Sequence, residues 1–297
     1  MLRWFLFKLF FFYPRVYAFF CYYRKKGRRR EIEGKLDFFL KKWCGLEKKR
    51  RTVRYIFELR GSRKMMRYMI PLMNPRFIKQ FVSVEGLHHL DQALNEGRGV
   101  VLMAGHLGNP HLSFNALRVM GYDVIVLKGG IPRKARYPRF KYYDSFERTV
   151  FVHDPSVPRE EKKGRILEVL RTGRIIYHPA DAPEGRIKGT AFLLGKEVGF
   201  PTGVLHFAHQ AQARIIPFIH LYQGGKITLI LKEPIDGLWT GGKREYGRIL
   251  TEFAKLLETY ILTYPEQYGG FYGPTVLSDH YQSQRMPEKE ATDTLEE

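Results

Sequence analysis

The chain of 297 residues is 44% hydrophobic and 14% aromatic, enough apolar material for one large domain, which excludes a chain unfolded along most of its length. Its two cysteines, Cys21 and Cys44, have no metal-ligand spacing, which excludes a zinc module and a disulfide-stapled secreted domain and fits a reducing cytoplasmic setting. Of the formal charge of +20, nearly all sits in residues 1–80, with 23 Lys and Arg against 5 Asp and Glu; a basic surface spread over the whole fold would favour nucleic acid, whereas charge confined beside an apolar aromatic segment favours an anionic membrane surface.

Leu2 to Tyr23 is apolar and crowded with aromatic residues, but Lys8 and Pro14-Arg15 interrupt it and no small-residue cleavage site follows. The pattern predicts a monotopic or shallowly inserted anchor, with a single span as the rival. The run Arg24 to Arg30 comes next, and its charge places the rest of the chain on the cytoplasmic side of an anionic membrane. Residues 1–30 therefore read as anchor and basic cluster. Residues 31–80 read as basic helical material broken by Pro71 and Pro75.

From Phe81 the texture is that of an α/β enzyme, extending to residue 281, with 282–297 as a loose polar tail. Val82 to Gly86 reads as a short strand and turn, and further strands are predicted at Val100 to Ala104, Val124 to Leu127, Thr149 to Val152, Ile175 to Tyr177, Arg214 to Ile219 and Ile227 to Leu231. Helices are predicted at Leu87 to Glu96, His111 to Met120, Arg159 to Arg171, Gly203 to Gln212 and Gly242 to Leu262. The predicted fold is α/β, with a central mostly parallel or mixed sheet flanked by helices.

Chemistry concentrates where the strand Val100 to Ala104 runs out into Gly105-His106-Leu107-Gly108-Asn109-Pro110-His111. Asn109-Pro110 has the form of an N-cap followed by proline at the first helical position. His106 then lies in the strand-to-helix turn and His111 in the first helical turn. The pair lacks the i, i+4 spacing of a helical zinc site and has no third ligand in sequence, so no metal is expected.

At these residues the chain resembles the bacterial lipid A biosynthesis acyltransferases, within the wider lysophospholipid and glycerolipid acyltransferase superfamily, whose turn often reads Gly-His-x-Gly-Asn-Trp-Glu. Gly105-His106-Leu107-Gly108-Asn109 matches; Pro110 and His111 do not. Val84-Glu85-Gly86-Leu87, Gly97-Arg98-Gly99, Pro179-Ala180-Asp181, Leu194-Gly195-Lys196, Pro201-Thr202-Gly203, Ile215-Ile216-Pro217 and Tyr264-Pro265-Glu266-Gln267-Tyr268 follow in the family's order. The resemblance spans about Val82 to Tyr268.

It implies acyl transfer from a thioester donor, acyl-acyl carrier protein or acyl-coenzyme A, to a hydroxyl of a glycolipid or lipid, with His106 as general base. No cofactor is implied, nor is nucleic acid. His111 stands where the family has an acid and cannot supply a negative charge, so a remote carboxylate is expected to substitute, Asp181 first and Glu184 second. The alternative is a lipid-binding pseudoenzyme with impaired catalysis. Gly108 and Asn109 are expected to contact substrate. Pro183-Glu184-Gly185-Arg186 resembles the Pro-Glu-Gly motif that holds a phosphate, with Arg186 and Lys188 able to bind an anion. The basic stretch Lys128 to Phe140, with Arg133 and Arg136, falls where the family meets its acyl carrier protein or lipid phosphates. The expected location is the cytoplasmic face of a bacterial inner membrane.

Overall fold

The computed structural model describes residues 2–40, 45–70, 73–129, 148–183, 188–223, 225–235 and 243–284. Three helices open the chain: α1 (Leu2–Arg24), α2 (Lys26–Leu40) and α3 (Leu46–Met69). Helix α1 lies along α3, and the two backbones meet closely where a Cβ on Gly61 would stand 3.0 Å from the Pro14 Cα. Pro14 sits inside α1, so the proline that interrupts the apolar run does not end the helix.

The helical period divides α1 into two faces. Ala18, Cys21 and Tyr22 point inward and join one core with Ile32, Leu36, Phe39, Val53, Ile56 and Phe57. Phe12, Phe19, Phe20 and Tyr23 point outward and are exposed. Tyr22 is held between two cations, the Arg29 and Arg54 guanidinium groups each lying 4.9 Å from its ring centroid. Among the described residues no helix is long and apolar enough to cross a membrane.

A short helix α4 (Pro75–Phe81) follows. Pro75, expected only to break helical structure, occupies its first turn, where a missing N–H costs nothing, and the Asn74 side chain accepts the Phe77 N–H as cap.

The α/β region is built on seven strands: β1 (Val82–Glu85), β2 (Val100–Ala104), β3 (Val124–Lys128), β4 (Thr149–Phe151), β5 (Ile175–Pro179), β8 (Arg214–Gln223) and β9 (Lys226–Leu231). They lie in the order β1-β9-β8-β2-β5-β3-β4, parallel throughout except for the β8–β9 hairpin. The sheet is flanked by α5 (Leu87–Asn95), α6 (Pro110–Val119), α7 (Arg159–Arg171), α8 (Gly203–Ala211), α9 (Lys243–Thr263) and α10 (Val276–Ser283). A separate antiparallel hairpin, β6 (Lys188–Leu193) and β7 (Lys196–Pro201), packs on α9. Two 3-10 turns, Pro265–Gln267 and Gly269–Phe271, lead into α10.

Central strands of such a sheet are covered on both faces, which is why they read as unbroken apolar runs. Strand β2 is wholly buried: Val101 and Met103 enter the core shared with α7 to α10, while Val100, Leu102 and Ala104 enter the core shared with α4 to α6. The sequence reading did not identify the β6–β7 hairpin, because β6 opens on Lys188-Gly189-Thr190 and carries no apolar run. Helix α10 extends to Ser283, into the segment read as loose.

Candidate active site

Strand β2 ends at Ala104 in the middle of the sheet, and the chain turns there into α6. The turn residue His106 is partly exposed, whereas Leu107, Gly108 and Asn109 are buried. Beside β2, strand β5 ends at Pro179, and the next residues bring Asp181 across to the turn. The Ala180 N–H donates to the Ala104 carbonyl at 2.8 Å, stitching the two strand ends together.

His106 Nδ1 lies 2.7 Å from Asp181 Oδ1, and the His106 backbone N–H also donates to both carboxylate oxygens at 3.1 Å. Asp181 is completely inaccessible, while the His106 side chain keeps 28% of its surface exposed. Burial alone would raise the Asp181 carboxyl, but the charge of a protonated His106 and the hydrogen bonds from its ring and backbone outweigh it. Asp181 is therefore held below the usual carboxylate range. The Asp181 carbonyl accepts the Val276 N–H at the start of α10, and the buried Tyr268 hydroxyl faces the same carboxylate and Thr275.

The backbone of the turn is held from elsewhere in the fold. Gly108 adopts φ +47°, a left-handed conformation that favours glycine, and a Cβ there would stand 2.6 Å from the His220 carbonyl. Its N–H donates to the Gln267 carbonyl at 2.9 Å, and the Gly269 N–H donates to the His106 carbonyl at 2.6 Å. The Gln267 side chain bridges outward, accepting the Tyr222 N–H at 3.1 Å and donating to the Tyr222 carbonyl at 2.9 Å. The Gly108 carbonyl accepts two bonds from the Arg63 guanidinium, Nε at 3.2 Å and Nη2 at 2.7 Å.

Three further histidines surround the pair. His220 is completely buried, and its Nε2 lies 3.0 Å from the Tyr177 hydroxyl. Burial, with the charges of Arg63 and His106, pushes His220 down to about 3; burial likewise pushes His178 down to about 4. Burial and then the Lys128 charge push His111 down to about 3, and its ring stands 5.4 Å from that of Phe114. His111 is thus neutral near pH 7.

Of the residues singled out in sequence, the structure brings His106 and Asp181 into contact. It sets His111 in the first turn of α6, where no hydrogen bond joins it to His106 among the described residues. Asn109 occupies the N-cap position with Pro110 at the first helical position, as the sequence suggests, but its side chain makes no capping bond, and both amide atoms are buried without a partner among the described residues. Lys188 begins β6 and is exposed. Arg133, Arg136, Glu184, Gly185 and Arg186 lie outside the described residues. Among the described residues no group of three or more His, Cys, Asp or Glu side chains could hold a metal ion.

The profile of the bacterial lipid A biosynthesis acyltransferases matches residues 8–271. The chain belongs to this family. It is an acyltransferase acting on lipids, and the match covers the N-terminal helices as well as the sheet. Among solved structures it is similar to the 1-acyl-sn-glycerophosphate (LPA) acyltransferase PlsC from Thermotoga maritima, at 15% identity, over 84% of this chain and 95% of that one, with a TM-score of 0.39. No curated protein matches it.

In this lipid A acyltransferase family member, the carboxylate in contact with His106 belongs to Asp181, 75 residues downstream, rather than to the first turn of α6. Sequence reasoning did not pick out Arg63, Tyr177, His220 or Gln267 as site residues. Gln267 carried a signal, the Pro265-Glu266-Gln267-Tyr268 block. Arg63 carried none, being one of many cations in the first 80 residues.

Proposed function

We propose that the chain transfers a fatty acyl group from a thioester donor to a hydroxyl of a glycolipid or lipid acceptor, with His106 as general base and Asp181 as its orienting carboxylate. The observation that carries this is the 2.7 Å contact between His106 Nδ1 and the buried Asp181. A carboxylate there selects the tautomer with the proton on Nδ1, leaving the Nε2 lone pair for the acceptor hydroxyl. The alcohol oxygen attacks the thioester carbonyl as its proton passes to Nε2. The tetrahedral intermediate collapses with loss of the C–S bond, and the thiolate takes the proton back from His106. Asp181 stabilises the imidazolium formed between these steps, and no covalent enzyme intermediate is needed.

The exposed face of α1, with Phe12, Phe19, Phe20 and Tyr23 beside the basic run from Arg24, supports docking on an anionic leaflet, which we assign to the cytoplasmic face of the inner membrane. The donor is acyl-acyl carrier protein or acyl-coenzyme A. The reading is tested by supplying both labelled thioesters with inner-membrane lipid to wild type and His106→Ala. Transfer by wild type and none by the variant is expected; a variant retaining more than about a tenth of the rate refutes the base assignment.

A further inference from the structure

The His106–Gly108 turn is tied to Asp181, to Gln267 and to Gly269, all within the α/β region and its C-terminal turns. Another tie, among the described residues, comes from the N-terminal helices. Arg63 on α3 reaches the buried Gly108 carbonyl with two N–H groups of one planar guanidinium. Such a fork fixes direction as well as distance, and its charge strengthens both bonds. Without it the buried carbonyl loses these donors, which costs more than the net worth of the bonds.

The same guanidinium contributes to the fields at Asp181, Tyr177, His111 and His220, and a Cβ on Gly269 would stand 3.2 Å from both of its Nη atoms. Burial, and the charge of Arg60, push its own pKa down to about 10, which still leaves it charged near pH 7. Helix α3 is also the helix on which α1 lies.

We propose that Arg63 is a positioning residue: by clamping the Gly108 carbonyl it sets the aim of His106 and couples the α1–α3 helices to the reacting centre. This rests on His106 being the base. Arg63 touches no reacting atom, so its loss acts on turnover through the turn and leaves donor binding largely alone.

The test uses full-length protein in lipid-containing micelles, with labelled acyl-acyl carrier protein and acyl-coenzyme A supplied over inner-membrane lipid. In Arg63→Met, kcat falls about 100-fold while KM for the donor changes less than about threefold, since small misplacements of a base cost turnover on that scale. Arg63→Lys, which keeps charge without the fork, falls between Arg63→Met and wild type, and millimolar guanidinium restores part of the turnover of Arg63→Ala. Wild-type kcat in Arg63→Lys and Arg63→Met overturns the proposal, as does a loss confined to KM. A loss that tracks a lowered melting temperature, with no guanidinium rescue, overturns it too. A His106→Ala control separates the two readings: if that variant is active the base assignment falls and the clamp with it, whereas an inert His106→Ala beside a fully active Arg63→Met removes the clamp alone.

Discussion

Asp181 holds His106 at two places, accepting the ring Nδ1–H at 2.7 Å and the backbone N–H at 3.1 Å, so one carboxylate orients both the imidazole and the turn that carries it. Because Asp181 is wholly inaccessible, its carboxylate is satisfied inside the protein, by the ring and backbone N–H groups of His106. The pair is consequently a mechanical as well as an electrostatic unit.

Asp181→Asn keeps the shape of the side chain and removes its charge. The amide cannot stabilise an imidazolium, so transfer falls by at least about 2 kcal/mol in transition-state stabilisation, roughly 30-fold. Steady-state rates at saturating donor check this. A variant within a few-fold of wild type rules out Asp181 as the partner of His106.

His111→Glu separates a relocated acid from a missing one. With Asp181 already against His106, a second carboxylate in the first turn of α6 is an additional charge in a largely buried site and brings like-charge repulsion. The expected result is a rate at or below wild type together with a lower melting temperature. A rate clearly above wild type would mean that the pair lacks the negative charge assigned to it.

Stability should fall on mild acidification. The folded pKa values of His111, His178 and His220, about 3, 4 and 3, lie below the ~6.5 of an unfolded histidine. As pH drops from about 6.5 towards 4 the unfolded chain binds protons that the folded chain does not, and stability declines. At about 1.4 kcal/mol per pH unit per histidine, the three together give at most about 4 kcal/mol per unit, with the completely buried His220 contributing most. Asp181, whose folded pKa is depressed, adds its loss only below the ordinary carboxylate range. Thermal melts between pH 7.5 and 4.5 check the trend; a melting temperature unchanged down to pH 5 contradicts it.

The outward stripe of α1 can be tested without touching its packed face. Replacing Phe12, Phe19, Phe20 and Tyr23 by serine removes exposed apolar area while leaving Ala18, Cys21 and Tyr22 in the core. The protein should stay folded and shift from anionic vesicles to solution in flotation, and the residual binding by Arg24 to Arg30 should be lost at high salt. Undiminished flotation at both salt levels excludes α1 as the docking face.

Local pattern determined much about this protein. The buried strands β2, β5 and β8 were legible because they are covered on both faces and therefore apolar without interruption. The turn at His106 was legible because a strand end, glycines and Asn109-Pro110 lie within a few residues of one another, and the family was legible from motifs strung along the chain in order. Each of these is a property of neighbours in sequence. The β6–β7 hairpin was not, because β6 opens on Lys188-Gly189-Thr190 and has no apolar run, and its pairing with β7 is supported by packing on α9 and α10, which lie far along the chain. Nor was the grip on the turn. The bonds from Asp181, Gln267, Gly269 and Arg63 cross between 45 and 163 positions of chain and exist only because strand order sets β5 beside β2 and because α3 packs against α6 and the Pro265–Gln267 turn. Asp181 could be nominated from sequence as a carboxylate in a recognisable block. Its contact with His106, and the neutrality of His111, depend on burial and on charges contributed by remote residues, which tertiary structure alone decides.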